Sequence, residues 1–86
     1  MFIHLGNNYI INTKNIIGIF DFDNCTVSLK ARQFLERAEK EGQIVNTTSD
    51  IPKTFVVVKE NGEQKVYFSQ LSSKTLLKRQ DLINNI

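Results

Sequence analysis

The stretch Thr54 to Phe68, TFVVVKENGEQKVYF, restricts this chain more than any other. Asn61-Gly62 offers the two positive φ angles of a type I′ turn, the strongest short-range hairpin signal. Ahead of it, Phe55-Val-Val-Val58 is apolar on both faces of a strand, and such a strand needs cover on both sides. Pro52 cannot donate to a sheet ladder and biases Ile51 to extended geometry, so this strand is expected to start after it. Lys65 to Ser69 is the return strand. A chain of 86 residues buries only about 60–65% of the surface its unfolded form exposes, so the core available for that cover is modest.

The rest of the chain falls into short pieces around this hairpin. Phe2 to Leu5 is apolar and meets a turn cluster, Gly6-Asn7-Asn8. Tyr9 to Thr13 then resumes with β-branched and aromatic residues, compatible with a hairpin between the two. Ile16 to Phe22 is the strongest early strand. Strict alternation puts Ile16, Gly18, Phe20 and Phe22 on one face, and Ile17, Ile19 and Asp21 on the other. Asp23-Asn24-Cys25-Thr26 reads as a helix start. Val27, Ala31, Phe34, Leu35 and Ala38 follow as one apolar stripe, and Gly42 is a natural stop. Arg32–Glu36, Glu36–Lys40 and Arg37–Glu41 are opposite-charge pairs on the outer side. Ile44-Val45 is a short apolar step, and Asn46 to Asp50 a polar loop. Ser72 or Ser73 can cap a final helix, with Leu76, Leu82, Ile83 and Ile86 on one side and Lys74, Lys78 and Asp81 on the other. The expected fold class is α+β: a small, mostly antiparallel sheet, one central helix and a C-terminal helix, in a single domain over residues 1–86. Strands apolar on both faces, with so little helix to cover them, suggest that partner subunits supply part of the cover.

Composition sets wide limits. A net charge of +2 and a pI of about 8.8 permit nucleic-acid binding but fall short of a strongly basic footprint. Cys25 is the only cysteine, so no internal disulfide or cysteine-cluster metal site can form. His4, the only histidine, has no cysteine or histidine partner and reads as structural. No signal peptide is apparent, and no stretch approaches the roughly 20 apolar residues that span a bilayer. The chain is expected to be cytoplasmic, without a membrane, metal or cofactor.

Gly18 to Thr26, GIFDFDNCT, resembles the nucleophile strand of haloacid-dehalogenase-type phosphatases, in which the first Asp attacks phosphorus and the second is acid/base. The likeness stops there. That family wants Gly-Thr or a similar pair directly after the second Asp, where this chain has Asn24-Cys25. The later chain offers no acidic pair for magnesium. A strand end that caps a helix explains Asp21 and Asp23 with less, and no enzyme is expected.

FIHLGNNYIINTKNIIGIFDF, the helix after it and the closing YFSQLSSKTLLKR resemble the extracellular matrix regulatory proteins of the RemA/RemB type, most closely its RemB branch. The resemblance implies a small cytoplasmic bacterial protein linked to transcription of biofilm-matrix genes. It implies a fold similar to LytTR-type DNA-binding domains, and closed rings that wrap double-stranded DNA on their rims. It also points to site residues. Where the DNA-binding branch has an arginine before the Ile-Ile of the third strand, this chain has Asn15 beside Lys14. Where that branch has an Arg pair before the Val-rich strand, this chain has Ile51-Pro52 followed by Lys53. Lys14, Asn15 and Lys53 are therefore the expected nucleic-acid contacts. Asn lacks the charge and bidentate geometry of guanidinium, so DNA binding is expected to be weak or assisted. The alternative expectation is an oligomeric interaction module that regulates through a protein partner without touching DNA.

Overall fold

The computed structural model describes residues 2–25 and 28–84. The element order is β1 (Phe2–Gly6), β2 (Tyr9–Asn12), a 3₁₀ turn (Thr13–Asn15), β3 (Ile16–Asp21), α1 (Phe22–Cys25), α2 (Leu29–Lys40), β4 (Ile44–Asn46), β5 (Thr54–Glu60), β6 (Glu63–Ser69) and α3 (Ser73–Asn84). The class is α+β, as expected. Of the expected residues, Thr26, Val27 and Ile86 lie outside the described residues, as do the side chains of Asn24, Cys25, Asp81, Leu82 and Ile83.

The central sheet has the order β3-β5-β6-β4. β3 and β6 flank β5 in antiparallel ladders, and β4 joins β6 in parallel. The Ile44-Val45 step is thus a strand, and the sheet is mixed. Asn61 and Gly62 both carry positive φ, at 53° and 82°, and Glu60 pairs with Glu63 across the turn. β1 and β2 form a hairpin that makes its own two-stranded sheet.

β5 has Thr54 through Val58 buried in succession, so both of its faces lie in cores. On one face Val56 and Val58 join Ile3, Leu5 and Ile11 from the hairpin and Leu76 from α3. On the other, Phe55 and Val57 join Val66 of β6 and Ala38 of α2, with Phe34, Leu35, Phe22, Ile44 and Phe68 packed around them. The aromatic side chains interlock: Phe20 stacks on Phe55 at 5.1 Å, and Phe22 meets Phe55 and Phe68 edge-on. Both covers of β5 come from the chain itself, whereas β3 leaves Ile17 and Phe20 exposed.

Two local readings are corrected. The register of β3 against β5 shifts between Ile16 and Gly18. That irregularity takes Ile17 out of strict alternation. Ile16 and Ile19 both pack on the hairpin side, while Ile17 shares the α2 side with Phe20. The central helix also starts later than expected. α1 is a separate single turn, and Ser28 caps α2 through a long 3.5 Å bond from the Ala31 N–H. At the other end Gly42, at φ 69°, closes a Schellman motif. Its N–H bonds to the Glu39 carbonyl, and the Gln43 N–H to that of Ala38. The charged residues of the expected pairs, Arg32, Glu36, Arg37, Lys40 and Glu41, are all on the exposed side.

Leu76 is 0% exposed and anchors α3 in the hairpin-side core. Leu76→Ala is expected to lower the unfolding free energy by about 2–5 kcal/mol, measured by urea denaturation.

Candidate functional site

The three expected nucleic-acid contacts do not form one patch. Lys14 is exposed on the 3₁₀ turn, which the Asn12 side chain caps by accepting the Lys14 N–H at 3.0 Å. Asn15, beside it, is half-buried and lines a small cavity of about 160 Å³ with Asn12, Glu60 and Tyr67 among others. A phosphate approaching Asn15 would therefore also meet the Glu60 carboxylate. Lys53 is exposed at the opposite end of the sheet, just before Thr54, which pairs with Asp21. Val58 pairs with Ile16, so five residues of β5 separate the two ends. At about 3.3–3.4 Å each this is roughly 17 Å. The backbone of Lys53 is held firmly: its N–H donates to the Ser69 carbonyl at 2.8 Å, and its carbonyl accepts from the Phe22 N–H at 3.0 Å. Lys74 and Lys78 are also exposed, on α3.

The two aspartates have separate surroundings. Asp21 ends β3, and its carboxylate accepts from the Ser73 hydroxyl at 2.7 Å and from the Ser73 N–H at 3.3 Å. An anionic acceptor at the first turn of a helix is favoured by the unpaired N–H groups and the helix dipole. Ser72 completes this start, since its side chain accepts the Thr75 N–H at 3.1 Å. Asp21 thus caps the last helix and not the one that follows it in sequence. Asp23 lies exposed in α1, off the strand, so the two carboxylates do not share a strand face. Among the described residues no group of three or more His, Cys, Asp or Glu could hold a metal ion.

A further surface has no counterpart among the expected sites. Between β3 and the start of α2 lies an open groove of about 460 Å³, walled by Ile17, Phe20, Ala31, Phe34, Phe55 and Val57, with Ser28, Lys30 and Gln64 also lining it. Gly18 helps shape it: a Cβ there would stand 2.6 Å from the Phe20 ring, which lies back over the glycine. Gly-x-Phe on one strand face is the only trace of this in the sequence. Ile51 is also unexpected, 88% exposed at the tip of the loop before β5.

The described residues thus form a small mixed sheet covered by a hairpin and helices, with lysines exposed at both ends of the β3–β5 ladder. The profile of the RemA-like family, "Extracellular matrix regulatory protein A-like", matches residues 2–80. The chain belongs to this family of extracellular matrix regulatory proteins. It is 38% identical over 79 residues to Extracellular matrix regulatory protein B of Bacillus subtilis (strain 168), covering 92% of this chain and 89% of that protein. No helix among the described residues is long and apolar enough to cross a membrane.

The surroundings of the two aspartates make a test. Asp21→Ala is expected to cost about 1–3 kcal/mol of stability through removal of the bonds to α3. Asp23→Ala should change it by less than about 0.5 kcal/mol. Urea denaturation of both variants measures the contrast.

Proposed function

We propose that this chain is a cytoplasmic, self-associating regulator of bacterial extracellular-matrix gene expression that touches DNA weakly, through Lys14 and Lys53. Family membership supports the regulatory role. The observation that carries the DNA contact is the exposure of two lysines on backbone held by hydrogen bonds, one at each end of the β3–β5 ladder. A separation of roughly 17 Å, from the rise per strand residue, is too far for a shared phosphate, so each neutralises its own. A net charge of only +2 makes a single copy feeble. Repetition through a ring would multiply the contacts along one duplex, since linked weak sites bind by effective concentration. Asn15 contributes at most a neutral hydrogen bond beside Lys14.

A second reading rests on the groove between β3 and α2 and on Ile51, apolar surfaces larger than a solvated face needs. In that reading the protein regulates by oligomerising and binding a protein partner, with no DNA contact.

Titration of duplex DNA across salt concentrations separates the two. For the first reading, affinity falls as salt rises. Lys14→Ala and Lys53→Ala each weaken binding and reduce the log–log slope by about 1 for each phosphate no longer neutralised. Salt-insensitive binding, no binding, or indifference to both substitutions would sink the DNA contact and favour the protein partner.

A further inference from the structure

We infer that the groove between β3 and α2 holds a small anionic amphiphile, a straight-chain carboxylate with its hydrocarbon along the groove and its head at the start of α2. The inference goes beyond both readings above and rests on neither, since it needs no second macromolecule. The shape of the surface comes first. β3 is an edge strand of the central sheet, and α2 packs on the same face without covering it fully. Ile17 and Phe20 stay 61% and 39% exposed between the two. Phe55 and Val57, both buried, make the floor, and Ala31 and Phe34 make the helix wall. This lining is braced before any ligand arrives: Phe20 stacks on Phe55 at 5.1 Å, and Phe22 meets Phe55 edge-on. A volume of about 460 Å³ falls within the roughly 300–1,000 Å³ of small-molecule sites.

Length and chemistry select the occupant. The lining extends from Phe55, opposite Phe20, to Gln64, which lies opposite Lys59. Four residues along β5 at about 3.3–3.4 Å each make roughly 13 Å, a trough suited to an unbranched chain. The floor is hydrocarbon, so a peptide laid along it would leave N–H and C=O groups without partners, a cost that methylenes do not incur. Polar groups lie only at the edges. Gln64 is already engaged, donating to the Gln43 side chain at 3.0 Å. Ser28 caps α2 and Lys30 lies in its first turn, so these two groups line the same end. The Ser28 oxygen accepts from the Ala31 N–H at 3.5 Å, which leaves its hydroxyl proton to donate. The Lys30 ammonium is exposed, and no carboxylate is among the described lining residues. A carboxylate head at that end meets one hydroxyl donor and one cation, and no like charge.

The experiment is calorimetric titration of the full chain with decanoate and with decylammonium, both below the concentrations at which they form micelles. The expected result is a single saturable site that prefers decanoate by about two- to fivefold, the scale of an exposed ion pair. Lengthening the chain from octanoate to decanoate tightens binding by up to about fourfold per methylene. Lys30→Glu reverses the head-group preference. Lys74→Glu, the same charge change on α3 against the other face of the sheet, leaves it in place. Ala31→Leu fills the groove from the helix wall and weakens decanoate binding at least about tenfold, and Ile17→Gln removes apolar wall and weakens it less. Thermal unfolding checks each variant, and Ile17→Gln, at an exposed position, carries the test if Ala31→Leu does not fold. Equal affinity for the two heads, or a preference that Lys74→Glu alters as much as Lys30→Glu does, overturns the anionic site. Decanoate binding indifferent to both Ala31→Leu and Ile17→Gln overturns the groove as its seat. If neither amphiphile binds saturably, the inference fails outright, and a groove whose variants then change only sedimentation or protein binding belongs to a macromolecule.

Discussion

Burial of β5 on both faces is the constraint on which the rest of the structure depends. A strand with Val56 and Val58 on one side and Phe55 and Val57 on the other cannot sit on a surface, so a short chain must supply two covers. It does so with unlike material. The hairpin and Leu76 of α3 close one side, and α2 closes the other. A helix of 12 residues is only about 18 Å long. α2 packs Ala38, Leu35 and Phe34 against Phe55, Val57, Val66, Ile44 and Phe68, which leaves the β3 edge, with Ile17 and Phe20, partly open. The groove is the unfinished margin of the second cover.

The parts of the fold legible in the sequence are those fixed by neighbouring residues. Asn61-Gly62 dictates its turn, Gly42 its helix end, and Ser72 the start of α3, each through backbone geometry spanning a few positions. Two-sided burial is equally plain in Phe55-Val-Val-Val58. What stays hidden depends on distant residues. A three-residue strand such as Ile44–Asn46 has no pattern of its own, and only its pairing with β6 defines it. The irregularity at Ile17 has no compositional mark beyond a nearby glycine. Nothing in Phe2–Asn12 says that the hairpin lies across another sheet instead of joining it.

The site follows the same division. Lys14, Asn15 and Lys53 can be picked out by resemblance, but their separation comes only from the β3–β5 register. Asp21 does mark a strand end that serves a helix, yet the helix is not the next one in the chain. Its partner, Ser73, is 52 residues away, and capping signals in a sequence point only to the next few positions. The groove needs Ile17, Phe20 and Phe34 from two elements, so no single stretch announces it.

The placement of the hairpin has a consequence for the order in which the protein assembles itself. Ile3, Leu5 and Ile11 are synthesised before the residues they bury against, Val56, Val58 and Leu76, and the Ser69 hydroxyl reaches back across 64 residues to the Leu5 carbonyl. A two-stranded hairpin alone is barely stable in water. At about 5–20 residues per second, the hairpin waits roughly 3–13 s on the ribosome for the strands that will cover it. The earlier hairpin is thus among the last elements to become secure, while β5 and β6, joined by a two-residue turn, are positioned to pair soon after they emerge. For those seconds the nascent chain carries a ribbon with an uncovered apolar face and open edges, with polar Gly6-Asn7-Asn8 at its tip.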